Sequence, residues 1–321
     1  MIKPKASILY PCLFAMLLMS AAISLVLGPF ALSIDDLGSN IGQLRTARIL
    51  TGMIIGAALS VAGAIFQALL RNPLAEPYVL GVSSGAGVAA ATSIIMNIAI
   101  FGAWTLPVMA FVGAIAAILL VLAIARSAGG AIPVQTLLLA GVVVGSVLGS
   151  GLMFLVNMSP NEKLPTVMWW LMGSLQLFNW SLLQVVAMVT LVSIGLSWFL
   201  GSSMNILSMG EEPAAHLGLN VERTKIILLA LASLMTGCAV AACGLIGFVG
   251  LIVPHSVRSV LGPDHRRLIP SCALCGAAFV VLADSAARSL FVQEIPIGAV
   301  TAFMGGPFFL LLLKRGRGGR P

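Results

Sequence analysis

Charge is scarce in this chain. Of 321 residues, 17 are Lys or Arg and 10 are Asp or Glu, 8% in all, against about 25% in an ordinary soluble domain. A water-facing surface cannot be built from so few charges, which excludes a soluble globular protein. The three histidines, His216, His255 and His265, are scattered, with no nucleophile–base pairing and no metal-ligand spacing around them. The five cysteines fall inside apolar runs, and Cys272-Ala-Leu-Cys275 has no second pair to complete a zinc or redox site, so they read as packing residues. No G-x-x-x-x-G-K-[ST] sequence occurs, so the chain cannot bind ATP through a Walker A loop. The uncharged runs also lack a mid-span acid of the kind that relays protons or sodium in ion-coupled carriers. Glu76 and Asp284 stand only near span ends.

Apolar residues supply 60% of the chain and the mean hydropathy is +1.10. At about 20 residues per crossing, the long uncharged runs predict an all-α integral membrane protein, a single polytopic domain over residues 1–321. The run Pro77 to Ala125 would be about 74 Å as one helix, so it must hold two crossings, broken near Gly102 to Pro107. A similar break at Gly244, Gly247 and Gly250 divides Ile226 to Leu261, and about ten crossings result. Lys3 and Lys5 before the first run resemble a secretory signal. Its apolar body nevertheless exceeds the usual 7 to 15 residues or so, and a retained first helix is expected.

Between two of these runs lies Arg71-Asn-Pro-Leu-Ala-Glu-Pro-Tyr-Val-Leu-Gly-Val-Ser-Ser-Gly-Ala-Gly87, with two prolines, a carboxylate and several glycines. Proline removes a backbone donor and glycine loosens a helix. Such a stretch is stable at membrane depth only under a cover of protein or beside a water-filled path. Asn72, Pro73, Glu76, Pro77, Gly81, Ser83 and Gly85 are therefore candidate path or path-supporting residues.

Ten crossings put both termini on one side. Placing them in the cytoplasm assigns thirteen Lys/Arg inside and leaves only Arg45, Arg48, Lys163 and Arg288 outside, as the positive-inside rule requires. The net charge of +7 is then a topology signal and does not imply nucleic acid. Arg45 and Arg48, three apart, share one face of the second span, and Arg288 ends the ninth. Two readings stand at this level: docking of an acidic partner, or snorkelling and local pairing such as Asp284 with Arg288 at i, i+4.

The longest polar stretch runs from Met204 to Lys225. Ser208 with Glu211 reads as a capping box, Glu211 and Glu212 suit a helix start, and Gly218 suits a left-handed stop. A helix of two to three turns, about 14 Å, is expected. It is too short to span and shaped for a groove on a soluble partner, although a connector lying on the membrane is the other reading. Gly56, Gly63, Pro73 and Gly81 recur 181 residues later as Gly237, Gly244, Pro254 and Gly262. Among 34 glycines this is either coincidence or the trace of two inverted halves, an arrangement known in transporters.

A set of ordered motifs then carries a family resemblance. They are Arg45-Thr-Ala-Arg48, Gly56 to Gly63, Gln67 to Pro77, Leu80 to Ala86, Gly210-Glu-Glu212 with Leu217 to Val221, Gly247 to His255, Gly262 to Arg266, and Ile295 to Gly298 through Gly306-Pro-Phe308. From about Arg45 to Arg315 the chain resembles the FecCD/BtuC-type permeases of binding-protein-dependent ABC importers for iron-siderophore, haem and cobalamin. The resemblance implies a ten-helix subunit of the bacterial inner membrane. It implies a homodimer with two ATP-binding cassette subunits below, which bind the ATP, and a periplasmic substrate-binding protein above. The permease itself would be no enzyme and hold no cofactor or metal. It implies that Arg45, Arg48 and Arg288 meet acids of the binding protein. The stretch 204–220 would be the coupling helices, with Ser208, Gly210, Glu211, Glu212, Ala215, His216, Leu217 and Gly218 at the ATPase contact. Thr46-Ala47 departs from the Leu-Pro often found between the arginines, which loosens their register. Ferric siderophore or haem is expected ahead of cobalamin, and an ion-coupled secondary transporter is the alternative.

Overall fold

A computed structural model of the chain describes residues 6–27, 39–126, 131–175, 179–290 and 293–317. Those residues are helical with short connections and contain no strand. In chain order the helices are α1 (Ala6–Val26), α2 (Asn40–Leu69), α3 (Val82–Ile95), α4 (Thr105–Ala125), α5 (Val134–Asn157), α6 (Leu164–Leu171), α7 (Trp180–Phe199), α8 (Gly201–Leu207), α9 (Glu211–His216), α10 (Val221–Cys243), α11 (Val249–Leu261), α12 (His265–Ser289) and α13 (Ile297–Arg317). Tight 3₁₀ turns at Pro77–Leu80 and Gly102–Trp104 precede α3 and α4, so the first expected break falls where proline and glycine cluster. The second falls between Cys243 and Val249.

Seven described helices are long and apolar enough to cross a membrane, and three more, Val82–Ile95, Val249–Leu261 and Ile297–Leu310, are apolar but shorter. Length and composition thus count seven full spans where ten crossings are expected from sequence.

The core is built on α2, whose Ala58, Val61, Ala62, Ala64, Ile65 and Phe66 are wholly buried. Helices α12, α10 and α11 pack around it. Close approaches occur at Gly56 of α2 against Gly276 of α12, where a Cβ on Gly56 would come within 2.1 Å of the Gly276 carbonyl oxygen, and at Gly63 of α2 against Gly250 of α11, at 2.0 Å. Small residues at a crossing let two membrane helices touch backbone to backbone, where dispersion accumulates without any help from water.

Two helices of this core contain proline, and each meets its consequence in the same way. Proline at position i leaves the carbonyl at i−4 without its donor. Pro254 of α11 frees the Gly250 carbonyl, which accepts from Gln67 Nε2 of α2 at 3.2 Å. Pro270 of α12 frees the Arg266 carbonyl, which accepts from the indole Nε1 of Trp198 on α7 at 3.0 Å. In both cases a neighbouring helix supplies a donor; the Gly250 contact is buried, where a low-dielectric surrounding demands one, and the Arg266 contact lies at an exposed end of its helix.

The 181-residue echo does not map element onto element. Pro73 lies in a non-helical connection whereas Pro254 lies inside α11, and Gly63 is mid-α2 whereas Gly244 caps the end of α10.

Candidate functional site

The stretch after α2 is held by polar contacts that its odd composition makes necessary. The Asn72 Oδ1 accepts from Leu74 N at 2.9 Å, a local turn that leaves Pro73 exposed. Pro77 starts the 3₁₀ turn, where its missing N–H costs nothing. Gly81 ends that turn at φ 76, a conformation that a side chain resists, and packs against Gly145 of α5. Ser83 is half-buried on α3, and Gly85 is buried against Gly113 of α4.

This break meets the other one. Tyr78 Oη donates to the Ile246 carbonyl at 3.1 Å and accepts from Ile246 N at 3.2 Å. Glu76 Oε1 accepts from the backbone N of Phe248. Phe248 is a non-glycine residue at φ 66, a strained position, so the carboxylate of Glu76 secures a costly backbone turn at the start of α11. The interrupted stretches between α2 and α3 and between α10 and α11 are thereby joined through side chain and backbone near the middle of the bundle.

At one end of the bundle lie α8 and α9. Of the helix expected from Ser208 to Gly218 only the short α9, Glu211–His216, is formed, and α8 ends ahead of it at Leu207. Ser208 follows α8 and its Oγ donates back to the Asn205 carbonyl at 2.7 Å, so no capping box forms; Gly210, at φ 124, begins α9 without a side-chain cap. The positive φ at Gly210 needs glycine, and it re-aims the chain before a serine three residues from Glu211 could reach the helix start. The stop at Gly218 is as expected, at φ 83, with Gly218 N and Leu219 N donating to Ala215 and Ala214 carbonyls.

Glu211 is turned inward to Lys225 of α10 at 3.0 Å, and Lys225, almost fully buried, also meets Glu222 at 2.7 Å and the Ile132 carbonyl at 2.8 Å. Glu212, Ala215, His216 and Leu217 face outward. Met209 is 66% exposed and Leu217 62%, so the outward side of α9 offers two large apolar groups flanking a carboxylate and an imidazole. Behind it a cleft of about 440 Å³ is lined by Arg71, Gln135, Glu211 and Glu212. The α7–α8 corner is fixed to the start of α12, where Asp264 accepts from Asn205 at 2.7 Å. That bond holds the Asp264 carboxyl below its usual range.

At the opposite end of α2 and α12 the three arginines form one cluster. Arg48 Nε lies 3.0 Å from both oxygens of Asp284 and its Nη2 is 2.7 Å from Oδ1. Arg48 also pairs with Glu294. Arg288 Nε reaches Asp284 Oδ2 at 2.9 Å, and Arg288 Nη2 donates to Ser24 Oγ at 2.8 Å. Arg45 donates to the Leu25 carbonyl at 2.8 Å. The local pairing of Asp284 with Arg288 that the sequence allows is therefore present. Arg45 is 7% exposed and Arg288 8%, so their charges are turned into the bundle and tie α1, α2 and α12 together.

A cleft of about 950 Å³ lies between α4, α6, α7 and the end of α10 and includes Trp169, Trp170 and Trp180 with Pro107, Pro165 and Asn179 in its lining. None of its described lining residues is charged. The sequence does not single out these tryptophans, nor Gln67, Tyr78, Asn205, Asp264, Lys225 and Glu294. The one signal available for several of them is polarity inside an apolar run.

A bundle of apolar helices with interrupted elements and a polar helical hairpin at one end is the architecture of a membrane-spanning transporter subunit. A model of the FecCD transport family matches residues 15–315, and the chain belongs to that family. It is similar to the cobalamin import system permease protein BtuC of Halobacterium salinarum, 46% identical over 275 residues covering 85% of this chain and 73% of that one. It is similar also to the hemin transport system permease protein HmuU of Yersinia pestis, 38% identical over 279 residues, 86% and 83% of the two chains. Among solved structures, a metal-chelate type ABC transporter in an inward-facing conformation superposes with a TM-score of 0.85 at 32% identity, covering 94% of this chain and 97% of that one. The chain is thus a permease subunit and not an enzyme; ATP hydrolysis belongs to a separate subunit.

Proposed function

We propose that this chain forms the translocation path of an ATP-driven importer for metal-bound tetrapyrroles, haem or cobalamin, in the bacterial inner membrane. The observation that carries the importer reading is the family match over residues 15–315 in a chain without a Walker A loop. The substrate class is supported by relatives named for cobalamin and hemin. It is supported too by the uncharged cleft with three tryptophans, whose faces suit a flat macrocycle.

In this reading α3, α11 and α13 complete ten crossings with both termini in the cytoplasm, and two copies enclose the path. The outward side of α9 seats in an ATPase, with Met209 and Leu217 as apolar anchors and Glu212 and His216 at the rim. A periplasmic binding protein docks over the arginine cluster. Because Arg45 and Arg288 are engaged with internal partners, Arg48 and the adjoining Glu294 present the accessible charge there. An ion-coupled carrier is disfavoured: Asp284 serves two guanidinium groups and Glu76 holds a backbone N–H, leaving neither free as a relay.

The test is reconstitution of the permease with the ATPase and binding protein encoded beside it, followed by ATP-dependent uptake of haemin, cyanocobalamin and a ferric hydroxamate siderophore. Uptake of haemin or cyanocobalamin is expected. Uptake of the siderophore alone overturns the substrate class, and uptake driven by a proton or sodium gradient without ATP overturns the importer reading.

A further inference from the structure

One side chain of the α7–α8 corner, Asn205, uses both ends of its amide on the first turn of α12. Its Nδ2 donates to Asp264 Oδ1 at 2.7 Å. Its Oδ1 accepts from the backbone N of His265 at 2.9 Å and lies 2.8 Å from the His265 ring Nδ1. One helical turn earlier, Ser202 Oγ accepts from Arg266 Nε at 2.8 Å, and Trp198 holds the carbonyl of that same arginine. Gly201 lies so near that a Cβ on it would be 3.1 Å from Arg266 N. Asp264 also caps α12 by accepting from Arg266 N at 3.1 Å. The corner therefore grips three consecutive residues, partly through their backbone, and a backbone grip cannot be kept while α12 slides or rotates.

From that grip α12 runs about 30 Å, at ~1.5 Å per residue, to Asp284, which binds Arg48 and Arg288. Midway it lies backbone to backbone on α2. The hairpin's other anchor ties α9 to α10 through the buried Lys225 and the half-exposed Glu211. We propose that Asn205 is the positioning residue through which displacement of α8 and α9 is passed to α12, and along it to the charge cluster at the far end. This rests on the ABC permease reading, in which an ATPase moves the hairpin.

The bond pattern specifies asparagine. Alanine drops every contact, and aspartate sets a second carboxylate against Asp264. Exchanging the two, N205D with D264N, restores the link across the corner: the carboxylate introduced at position 205 would accept from His265 and from the new amide at position 264, at the expense of the Arg266 N–H cap, because Asp264 serves both contacts with the same Oδ1. That substitution pair makes a clean test.

The permease is purified with its ATPase after L290C has placed a spin label just beyond α12, where Leu290 is 71% exposed, and after C12S has removed the exposed native thiol. The distance between the two labels of the dimer is read with and without ATP. An ATP-driven shift is expected in the parent, with its loss in N205A and N205D and its return in N205D/D264N. The ATPase should co-purify throughout. A shift that persists in N205A, or a double variant as impaired as N205D, overturns the assignment. If N205A does not accumulate in membranes, the comparison of N205D with the double variant decides alone. A parent that carries no ATPase overturns the permease reading itself, whereas a parent that binds the ATPase yet shows no shift overturns only the role of α12.

Discussion

Arg48 of α2 and Asp284 of α12, 236 residues apart in sequence, meet in a bidentate ion pair, with Arg48 Nε 3.0 Å from both carboxylate oxygens. Asp284 is only 2% exposed and also holds Arg288, so one buried carboxylate balances two guanidinium groups. Removing one partner of such a pair strands the others without water. The expected cost of Asp284→Ala is about 3–5 kcal/mol, read as a lower melting temperature in detergent. Asp284→Asn should cost less, because the amide oxygen still accepts one hydrogen bond. A melting temperature unchanged in both would show the cluster to be solvated.

The same cluster bears on the proposed docking. If Arg48 contributes to the binding-protein surface, Glu294→Gln releases part of its charge toward that surface. Affinity for an acidic binding protein should rise, and its salt dependence should steepen, since exposed charges are screened over about 10 Å at 0.1 M and about 3 Å at 1 M. Arg48→Glu should reverse both effects. Affinity measured across a salt series that is flat for both variants would remove the arginine cluster from the docking site.

On the ATPase side, Leu217→Asp places a charge where an apolar anchor faces outward, and ATPase recovery in a pull-down should fall roughly tenfold or more, with membrane accumulation unchanged. Glu211→Gln should act differently. It loosens the Lys225 anchor from within and should reduce thermal stability before it reduces pull-down. Equal behaviour of the two variants would contradict the inward placement of Glu211.

Glycine packing gives a sharper contrast. A Cβ on Gly276 would sit 2.4 Å from the Gly56 carbonyl oxygen and 2.5 Å from Ser60 Cβ, whereas one on Gly151 meets nothing within 4 Å. Gly276→Ala should therefore destabilise by about 1–3 kcal/mol through forced separation of α2 and α12, with Gly151→Ala neutral. Thermal melts of the two proteins, expressed side by side, settle the matter.

Gln67 offers a double-mutant cycle. Gln67→Leu strands the Gly250 carbonyl and the Arg258 guanidinium, which donates to Gln67 Oε1 at 2.8 Å, and should cost about 1–3 kcal/mol. Pro254→Ala restores a backbone donor for Gly250 from within α11. The pair should cost less than the sum of the two single changes, and strict additivity would refute the role assigned to Gln67.

Much of this was legible in sequence because membrane burial makes local rules strict. Gly102 to Pro107 and Gly244 to Gly250 announce broken helices, since no lipid-facing helix tolerates that composition, and Gly218 announces a left-handed stop. The capping box suggested by Ser208 fails because a serine three residues before a glutamate is a local signal, and Gly210 redirects the chain between them. The inward turn of Arg45 and Arg288 could not be read either. Their partners on α1 belong to another helix, and spacing alone reveals only the i, i+4 contact to Asp284. Gln67 is a single polar residue in an apolar run and Asn205 one polar residue among several in the stretch from Met204, and the meaning of each depends on which backbone it meets.

The two prolines of the core carry a consequence for biogenesis. The donors that complete α11 and α12, Gln67 on α2 and Trp198 on α7, both lie upstream of the carbonyls they serve. A chain made from its N-terminus therefore has each rescuing side chain already in the bilayer when the defective helix emerges. The buried carbonyl of α11 thus does not wait bare in lipid for a partner still to be translated. Circular permutation that moved α2 or α7 behind α11 and α12 would keep every native contact and reverse that order, making insertion, and not the finished fold, the step that fails.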